Sequence, residues 1–344
     1  MNVPAKHLRK NLTQLFSRRV ALLFTFSMTL SSQAQVAIPA GSEGPDWASG
    51  VRTVDDNMLD LGNTSKFDIC LLFPAKSIPT TWAGLSKQIT HKFNLPKCSN
   101  YVYSMATMPT NGPNSKQNCG IFKDISDGKY DSYYKATAVA LRNSGAPSNL
   151  IIRFGWEQNH KSFPWTMVGC KTQTDATNYK AGYSRIVKIF RDNFSQNLKA
   201  NWSFTKDGSK LLPTFESYYP GNSVIDVIGL DYYDNYLDAD TLAKFQASSQ
   251  LGTANTPFGI SKWADFARNN GRQLAIDEWG VRNQPKFKGS GGDNPEYIKG
   301  MNWFFNTRKN DLAYEIYFNQ LSYHLIGPKT NSPKAGAQYK LMWK

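Results

Sequence analysis

Short apolar runs alternate with amphipathic stretches along this chain, at a spacing of about 40 residues. The runs predict strands at Ala48–Thr53, Phe67–Phe73, Asn100–Met108, Asn149–Gly155, Leu198–Phe204, Val224–Asp231, Gln273–Glu278 and Ala313–Phe318. Several are continuously apolar, such as Leu150-Ile151-Ile152 and Val227-Ile228-Gly229-Leu230. Parallel strands buried on both faces have that character. Between them, Thr80–Phe93 carries Trp82, Leu85, Ile89 and Phe93 at helical spacing. Further helices are predicted at Tyr130–Asn143, Thr174–Asn193, Phe258–Asn270, Pro295–Lys309 and Ser332–Trp343. Asn294-Pro295 supplies a cap and a first-turn proline, and Asn269-Asn270-Gly271 a helix stop. Eight strand positions alternating with helices predict an α/β fold, a (β/α)8 TIM barrel. A doubly wound open sheet is the runner-up, but no Gly-x-Gly-x-x-Gly turn follows an early strand.

The N-terminus departs from that pattern. Lys6, Arg9, Lys10, Arg18 and Arg19 precede an apolar run from Val20 to Leu30, and small residues lead to Ser32-Gln33-Ala34. This reads as a signal peptide over residues 1–34, too short in its apolar part for a transmembrane span. An uncleaved anchor is the alternative. Residues 35–46 read as a lead-in, and residues 47–344 as one catalytic domain. The expected location is secreted or periplasmic, with no stable membrane association after cleavage.

Composition narrows the class. Hydrophobic residues make up 40% of the chain and aromatic residues 13%, which excludes a disordered or fibrous protein. The formal charge of +14 loses five units with the leader, leaving +9. Basic residues are scattered rather than clustered, so no nucleic-acid partner is expected. Four cysteines in an exported chain point to disulfides. Cys119 and Cys170 fall in loops after adjacent strand positions, which suggests one bridge there and another between Cys70 and Cys98. No metal site is expected, because no Cys-x-x-Cys pair exists and histidines are few. No cofactor is expected, and the protein is read as a monomer.

The candidate chemistry lies at two strand ends. Ile151-Ile152-Arg153-Phe154-Gly155-Trp156-Glu157-Gln158-Asn159 closes one apolar strand, and Leu274-Ala275-Ile276-Asp277-Glu278-Trp279-Gly280 closes another. In a parallel barrel all C-terminal strand ends open on one face. As strands four and seven, these place Glu157 and Glu278 across that mouth. Paired carboxylates flanking a sugar are the machinery of glycoside hydrolysis, one donating a proton and one ionised. Trp156 would limit solvation of Glu157 and favour its protonated form. Between them, Gly229-Leu230-Asp231-Tyr232-Tyr233 ends a third strand, with Tyr233 placed to orient a carboxylate and Asp231 to bind a sugar or pin a loop. Trp156, Phe163, Trp165, Trp202 and Trp279 are candidate sugar-stacking surfaces. Arg153 and Asn159 are polar candidates for positioning the site or holding a hydroxyl, and Arg153 equally suits a buried structural cation.

Four stretches together resemble glycoside hydrolase family 26, retaining barrels known mainly as endo-β-1,4-mannanases. They are Ile125-Ser126-Asp127-Gly128-Lys129-Tyr130-Asp131, the Arg153 to Asn159 stretch followed by Phe163-Pro164-Trp165, Tyr219-Pro220-Gly221 through Tyr233, and Glu278-Trp279-Gly280. The resemblance implies Glu157 as acid/base, Glu278 as nucleophile and Tyr233 as the residue steering the nucleophile. It implies a secreted endo-β-glycanase acting on β-mannan or a related polysaccharide by double displacement. Two positions depart from the family pattern. Trp156 stands where mannanases usually have His, and His160 where they usually have Gly. These changes and the basic chain raise an alternative substrate, a bacterial and anionic exopolysaccharide. A non-catalytic glycan-binding barrel is the other alternative, and it need not keep both glutamates.

Overall fold

A computed structural model describes residues 38–40, 45–52, 67–74, 77–90, 93–95, 98–206, 215–235, 239–320, 322–326 and 330–343. The expected leader and most of the lead-in lie outside these residues. Eight strands close in chain order: β1 (Ser49–Arg52), β2 (Phe67–Leu72), β3 (Cys98–Met105), β4 (Ile151–Phe154), β5 (Lys199–Thr205), β6 (Val227–Tyr233), β7 (Gln273–Gly280) and β8 (Leu312–Phe318). Each pairs in parallel with its neighbours, and β1 pairs with β8. The closed ring replaces the open-sheet alternative. The helices are α1 (Ile121–Ser126), α2 (Asp131–Asn143), α3 (Gln173–Asn193), α4 (Phe215–Tyr218), α5 (Leu242–Ser249), α6 (Ile260–Asn269), α7 (Pro295–Arg308) and α8 (Pro333–Met342). Among the described residues, no helix is long and apolar enough to cross a membrane.

Strand side chains alternate between two environments, as the two-residue period requires. Ile69, Leu71, Val102, Ile151, Val227, Ala275 and Ile316 form one apolar cluster, which plugs the lower barrel. Their outward neighbours, such as Tyr103, Ile152, Trp202, Ile228 and Leu274, join the larger core beneath the helices. Higher in the lumen the same inward register turns polar: Ser104, Arg153, Ser203 and Asp231 are all buried there.

The segment predicted as a helix over Thr80–Phe93 is instead a 3-10 turn, Trp82–Gln88. Its last residue is bound to β3. The Gln88 amide donates to Ala106 O and accepts from Ala106 N, and its carbonyl accepts from Tyr103 Oη. Apolar spacing alone does not register those tertiary bonds. The short α1, α4 and α5 were not predicted, being too brief to display a helical period. Two disulfides brace the barrel. Cys70 of β2 is bonded to Cys98 at the start of β3, and Cys119 before α1 to Cys170 before α3.

Candidate active site

Arg153, the third residue of β4, lies wholly buried at the centre of the lumen. Its Nη2 reaches both oxygens of Asp231 at 2.8 and 2.7 Å, its Nε lies 3.1 Å from Asp277 Oδ2, and its Nη1 donates to Glu278 Oε1 at 2.6 Å. Ser104 and Ser203 hydroxyls accept from the same guanidinium. Below it, Asp277 Oδ1 accepts from Asn201 Nδ2 (2.8 Å) and Tyr314 Oη (2.7 Å). A cation stripped of water needs such company, and removal of one partner from a buried set is strongly destabilising. Burial pushes Asp231 and Asp277 above the usual carboxylate range, against the pull of Arg153.

Two backbone irregularities aim the glutamates. In β7 the pairing with β6 runs Leu230 to Ile276 and then Asp231 to Glu278, leaving Asp277 as an extra residue. This bulge lets consecutive residues, Asp277 and Glu278, both face inward. Glu157 lies three residues beyond β4 with φ of 45°, the only non-glycine residue among those described with positive φ. Such a conformation costs of order 1–3 kcal/mol and persists only where its surroundings impose it. Here the chain is pinned on both sides: Gly155 N donates to Met105 O and Gln158 N to Ser203 O. Gly155 itself has φ of 73°, and a Cβ there would stand 2.7 Å from the Trp165 ring.

Glu278 thus has both oxygens held, Oε1 by Arg153 and Oε2 by Tyr233 Oη at 2.7 Å. Burial, reinforced by Glu278, pushes the Tyr233 phenol well above its ordinary value, so it stays a proton donor. His324 stacks on Tyr233 with ring centroids 4.5 Å apart, and its Nδ1 lies 2.6 Å from the Val281 carbonyl. Burial lowers the imidazole to about 4. The neutral ring must then carry its proton on Nδ1, because a carbonyl can only accept. A second cation, Arg52 at the end of β1, is lowered to about 10 by burial, with Glu278 acting in the opposite direction.

Glu157 and Glu278 line one cleft of about 320 Å³. Of the twelve residues singled out from the sequence, Glu157, Glu278, Tyr233, Trp156, His160 and Phe163 line it. The other six do not. Arg153 and Asp231 lie buried beneath the floor, bonded to each other rather than open to a sugar. Asn159 spends its amide on Thr205, donating to the carbonyl and accepting from the N–H. Trp165 packs behind Trp156 and donates to its carbonyl. Trp202 is fully buried on the outward side of β5, against Phe204, Tyr219 and Phe266. Its position has the parity of Ala200 and Phe204, opposite to the inward Ser203. Trp279, beyond the bulge, packs outward on Tyr317, Tyr339 and Trp343.

Seven further residues line the cleft that were not singled out from the sequence: Phe73 just after β2, Thr205 and Phe318 at the ends of β5 and β8, Asn235 and Arg282 from the loops after β6 and β7, and Tyr323 and His324 after β8. Phe73 and Phe318 each close a predicted strand, so the strand-end rule applied to all eight would have found them. The loop residues carry no sequence signal.

The model of the family described as glycosyl hydrolase family 26 matches residues 86–299, more than half of the chain. A mannan endo-1,4-beta-mannosidase from Bifidobacterium adolescentis is 30% identical over 157 residues, covering 44% of this chain and 14% of that protein. Endoglucanase H from Acetivibrio thermocellus is 29% identical over 150 residues, 41% of this chain and 16% of its own length. The matches thus span only a small part of these relatives. The catalytic domain of an endo-beta-1,4-mannanase of this family from Bacillus sp. JAMB-750 superposes with a TM-score of 0.57, at 16% identity. That likeness covers 89% of this chain and 88% of that one, and at this identity it speaks for the fold.

Proposed function

Because the chain belongs to glycosyl hydrolase family 26, we propose that it hydrolyses a β-linked polysaccharide with retention of configuration. Glu278 is the nucleophile and Glu157 the acid/base. One observation carries the assignment: the two glutamates line a common cleft, and Glu278 has both oxygens held by Arg153 and Tyr233. A carboxylate fixed in this way loses little orientational freedom on reaching its reactive geometry.

In the first step Glu278 attacks the anomeric carbon while Glu157 gives its proton to the departing glycosidic oxygen. The products are a glycosyl ester on Glu278 and a shortened chain with a new hydroxyl. In the second step the ionised Glu157 takes a proton from water, whose oxygen displaces Glu278 from the anomeric carbon. Net inversion occurs twice, so the product keeps the original configuration. Phe73, Trp156, Phe163 and Phe318 give the cleft apolar faces on which sugar rings can stack. Mannan is the first substrate to test, on the strength of the named mannosidase and mannanase relatives. Internal cleavage, and action outside the cytoplasm after loss of the leader, complete the proposal.

Glu157→Gln and Glu278→Gln should each lower turnover by about 10²–10⁴-fold with folding retained. Azide separates the roles. With an activated substrate, Glu157→Ala should yield a glycosyl azide of retained configuration, and Glu278→Ala one of inverted configuration. Near-normal turnover in either Gln variant sinks the assignment.

A further inference from the structure

Arg282 stands in the cleft wall four residues beyond Glu278, and its charge is not matched by a carboxylate among the described residues. Among the described residues no carboxylate lies within ion-pair distance of it. Its partners are neutral amides at the long end of the hydrogen-bond range: Asn235 Oδ1 at 3.3 Å from Nη1, and Gln284 Oε1 at 3.3 Å from Nε and 3.2 Å from Nη2. Aromatic rings support the group. The guanidinium carbon lies 3.5 Å from the Phe287 ring centroid and 5.6 Å from that of Tyr323. Such stacking holds an arginine in place without neutralising it.

A guanidinium has five N–H donors, and three are used here. One hydrogen remains on each terminal nitrogen. Two donors on adjacent nitrogens match the two oxygens of a carboxylate, the arrangement for which arginine is better suited than lysine. The acids from neighbouring segments are engaged elsewhere. Asp234 accepts from Asn294 Nδ2, and Asp293 accepts from the backbone N–H groups of Lys334 and Ala335 in α8. The adjacent His324 is neutral near pH 7 and does not compete for an anion.

We infer that the cleft recognises a glycan carrying a carboxylate at C6, a uronate, which Arg282 binds on the nucleophile's side of the site. The inference rests on the glycosidase reading and narrows its substrate class. Two acidic groups in the cleft would otherwise repel an anionic sugar, and Arg282 offsets that repulsion where the ligand must enter. A structural alternative has Arg282 merely tying the β6 and β7 loops through Asn235 and Gln284. It predicts no preference among ligands.

The test uses a β-1,4-linked mannose oligosaccharide and its C6-oxidised counterpart, which share one backbone and differ only in charge. Binding to the full-length Glu278→Gln protein is measured by calorimetry at low and high salt. Hydrolysis by the unsubstituted enzyme is measured in parallel. The oxidised ligand should bind about tenfold or more tightly than the neutral one, since hydrogen bonds to charged groups are worth that much. The preference should shrink with salt and collapse towards unity in Glu278→Gln/Arg282→Gln. Equal binding, preference for the neutral ligand, no binding of either, or an unchanged preference after loss of Arg282 overturns the inference. Separate results bear on the underlying reading: hydrolysis of these glycans by Glu278→Gln removes Glu278 as nucleophile, and hydrolysis of neither by the unsubstituted enzyme counts against the glycosidase reading, whatever the binding ratio. Thermal unfolding of the Arg282 variant guards against a folding effect, because loss of structure lowers both affinities and leaves their ratio near the original.

Discussion

Glu315 of β8 is a buried carboxylate that takes no part in the proposed chemistry, and its titration should be visible in stability. Oε1 accepts from Trp47 Nε1 at 3.4 Å, Trp343 Nε1 at 2.9 Å and the Ser49 hydroxyl; Oε2 accepts from Trp279 Nε1. Trp47 precedes β1 and Trp343 follows α8, so this one side chain joins the two ends of the barrel. Burial raises its pKa from 4.5 to about 7, with the four donors pulling the other way. The folded protein therefore holds this proton more tightly than the unfolded chain does. The resulting stabilisation is complete below about pH 4.5 and is lost as pH rises through about 7. At 1.36 kcal/mol per pH unit the loss amounts to about 3 kcal/mol between pH 4.5 and 8. The perturbation is Glu315→Gln, which abolishes the titration. Other ionising groups, including the raised Asp231 and Asp277, contribute equally to both proteins and cancel in the comparison. The assay is urea unfolding of both proteins at pH 4.5 and pH 8. Absolute stability is a poor guide here, because the amide must turn an N–H towards an indole N–H. The difference in pH dependence is the readout: the unsubstituted protein should lose about 3 kcal/mol more than the variant. Parallel pH profiles would refute the reasoning.

Two further substitutions probe the layer under the cleft. In Gly229→Ala the new methyl group would fall 2.0 Å from Asp277 Oδ2 and 2.4 Å from Asn201 Oδ1, inside a network with no room to retreat. Thermal unfolding should report a loss of about 1–3 kcal/mol, and an unchanged midpoint would show that the network can give way. Tyr233→Phe deletes the donor to Glu278 Oε2 but keeps the ring that stacks on His324. It should reduce kcat/KM by about ten- to a hundredfold, and undiminished kcat/KM would remove Tyr233 from the mechanism.

Most of the barrel was legible in the sequence because its strands are short, apolar and evenly spaced. The strand predicted at Ala313–Phe318 is found at Leu312–Phe318, and that at Gln273–Glu278 extends only to Gly280. Glu157, Glu278 and Tyr233 were legible for a related reason, since a parallel barrel brings strand ends four, six and seven together. The misplaced aromatic residues mark the limit of that logic. A strand end says that a residue lies near the mouth, and parity decides whether its side chain enters the lumen. Parity correctly applied sends Trp202 outward. For Trp279 even parity fails, because the β7 bulge resets it and no residue pattern announces a bulge. Arg282 and His324 sit on loops whose course depends on packing between distant segments, so the cleft's composition emerged only in three dimensions.

The same bulge explains how a rigid floor can support reactive groups. Along the inward register three strands change character within two residues: Val102 to Ser104 in β3, Ile151 to Arg153 in β4, Ala275 to Asp277 in β7. Below the change, apolar packing holds the barrel. Above it, Arg153 gathers carboxylates from two further strands. A regular β7 would present either Asp277 or Glu278 to the lumen, since neighbouring residues of a strand face opposite ways. With the bulge, Asp277 bonds downward to Asn201 and Tyr314 while Glu278 reaches up to Tyr233 and the cleft. Glu157 lies beyond the end of its strand, on a turn with positive φ pinned by backbone bonds. The proposed nucleophile is thus fixed through its side chain, and the turn that carries the proposed acid/base is fixed by backbone bonds on both sides. A nucleophile needs a fixed line of attack, which a carboxylate held at both oxygens supplies.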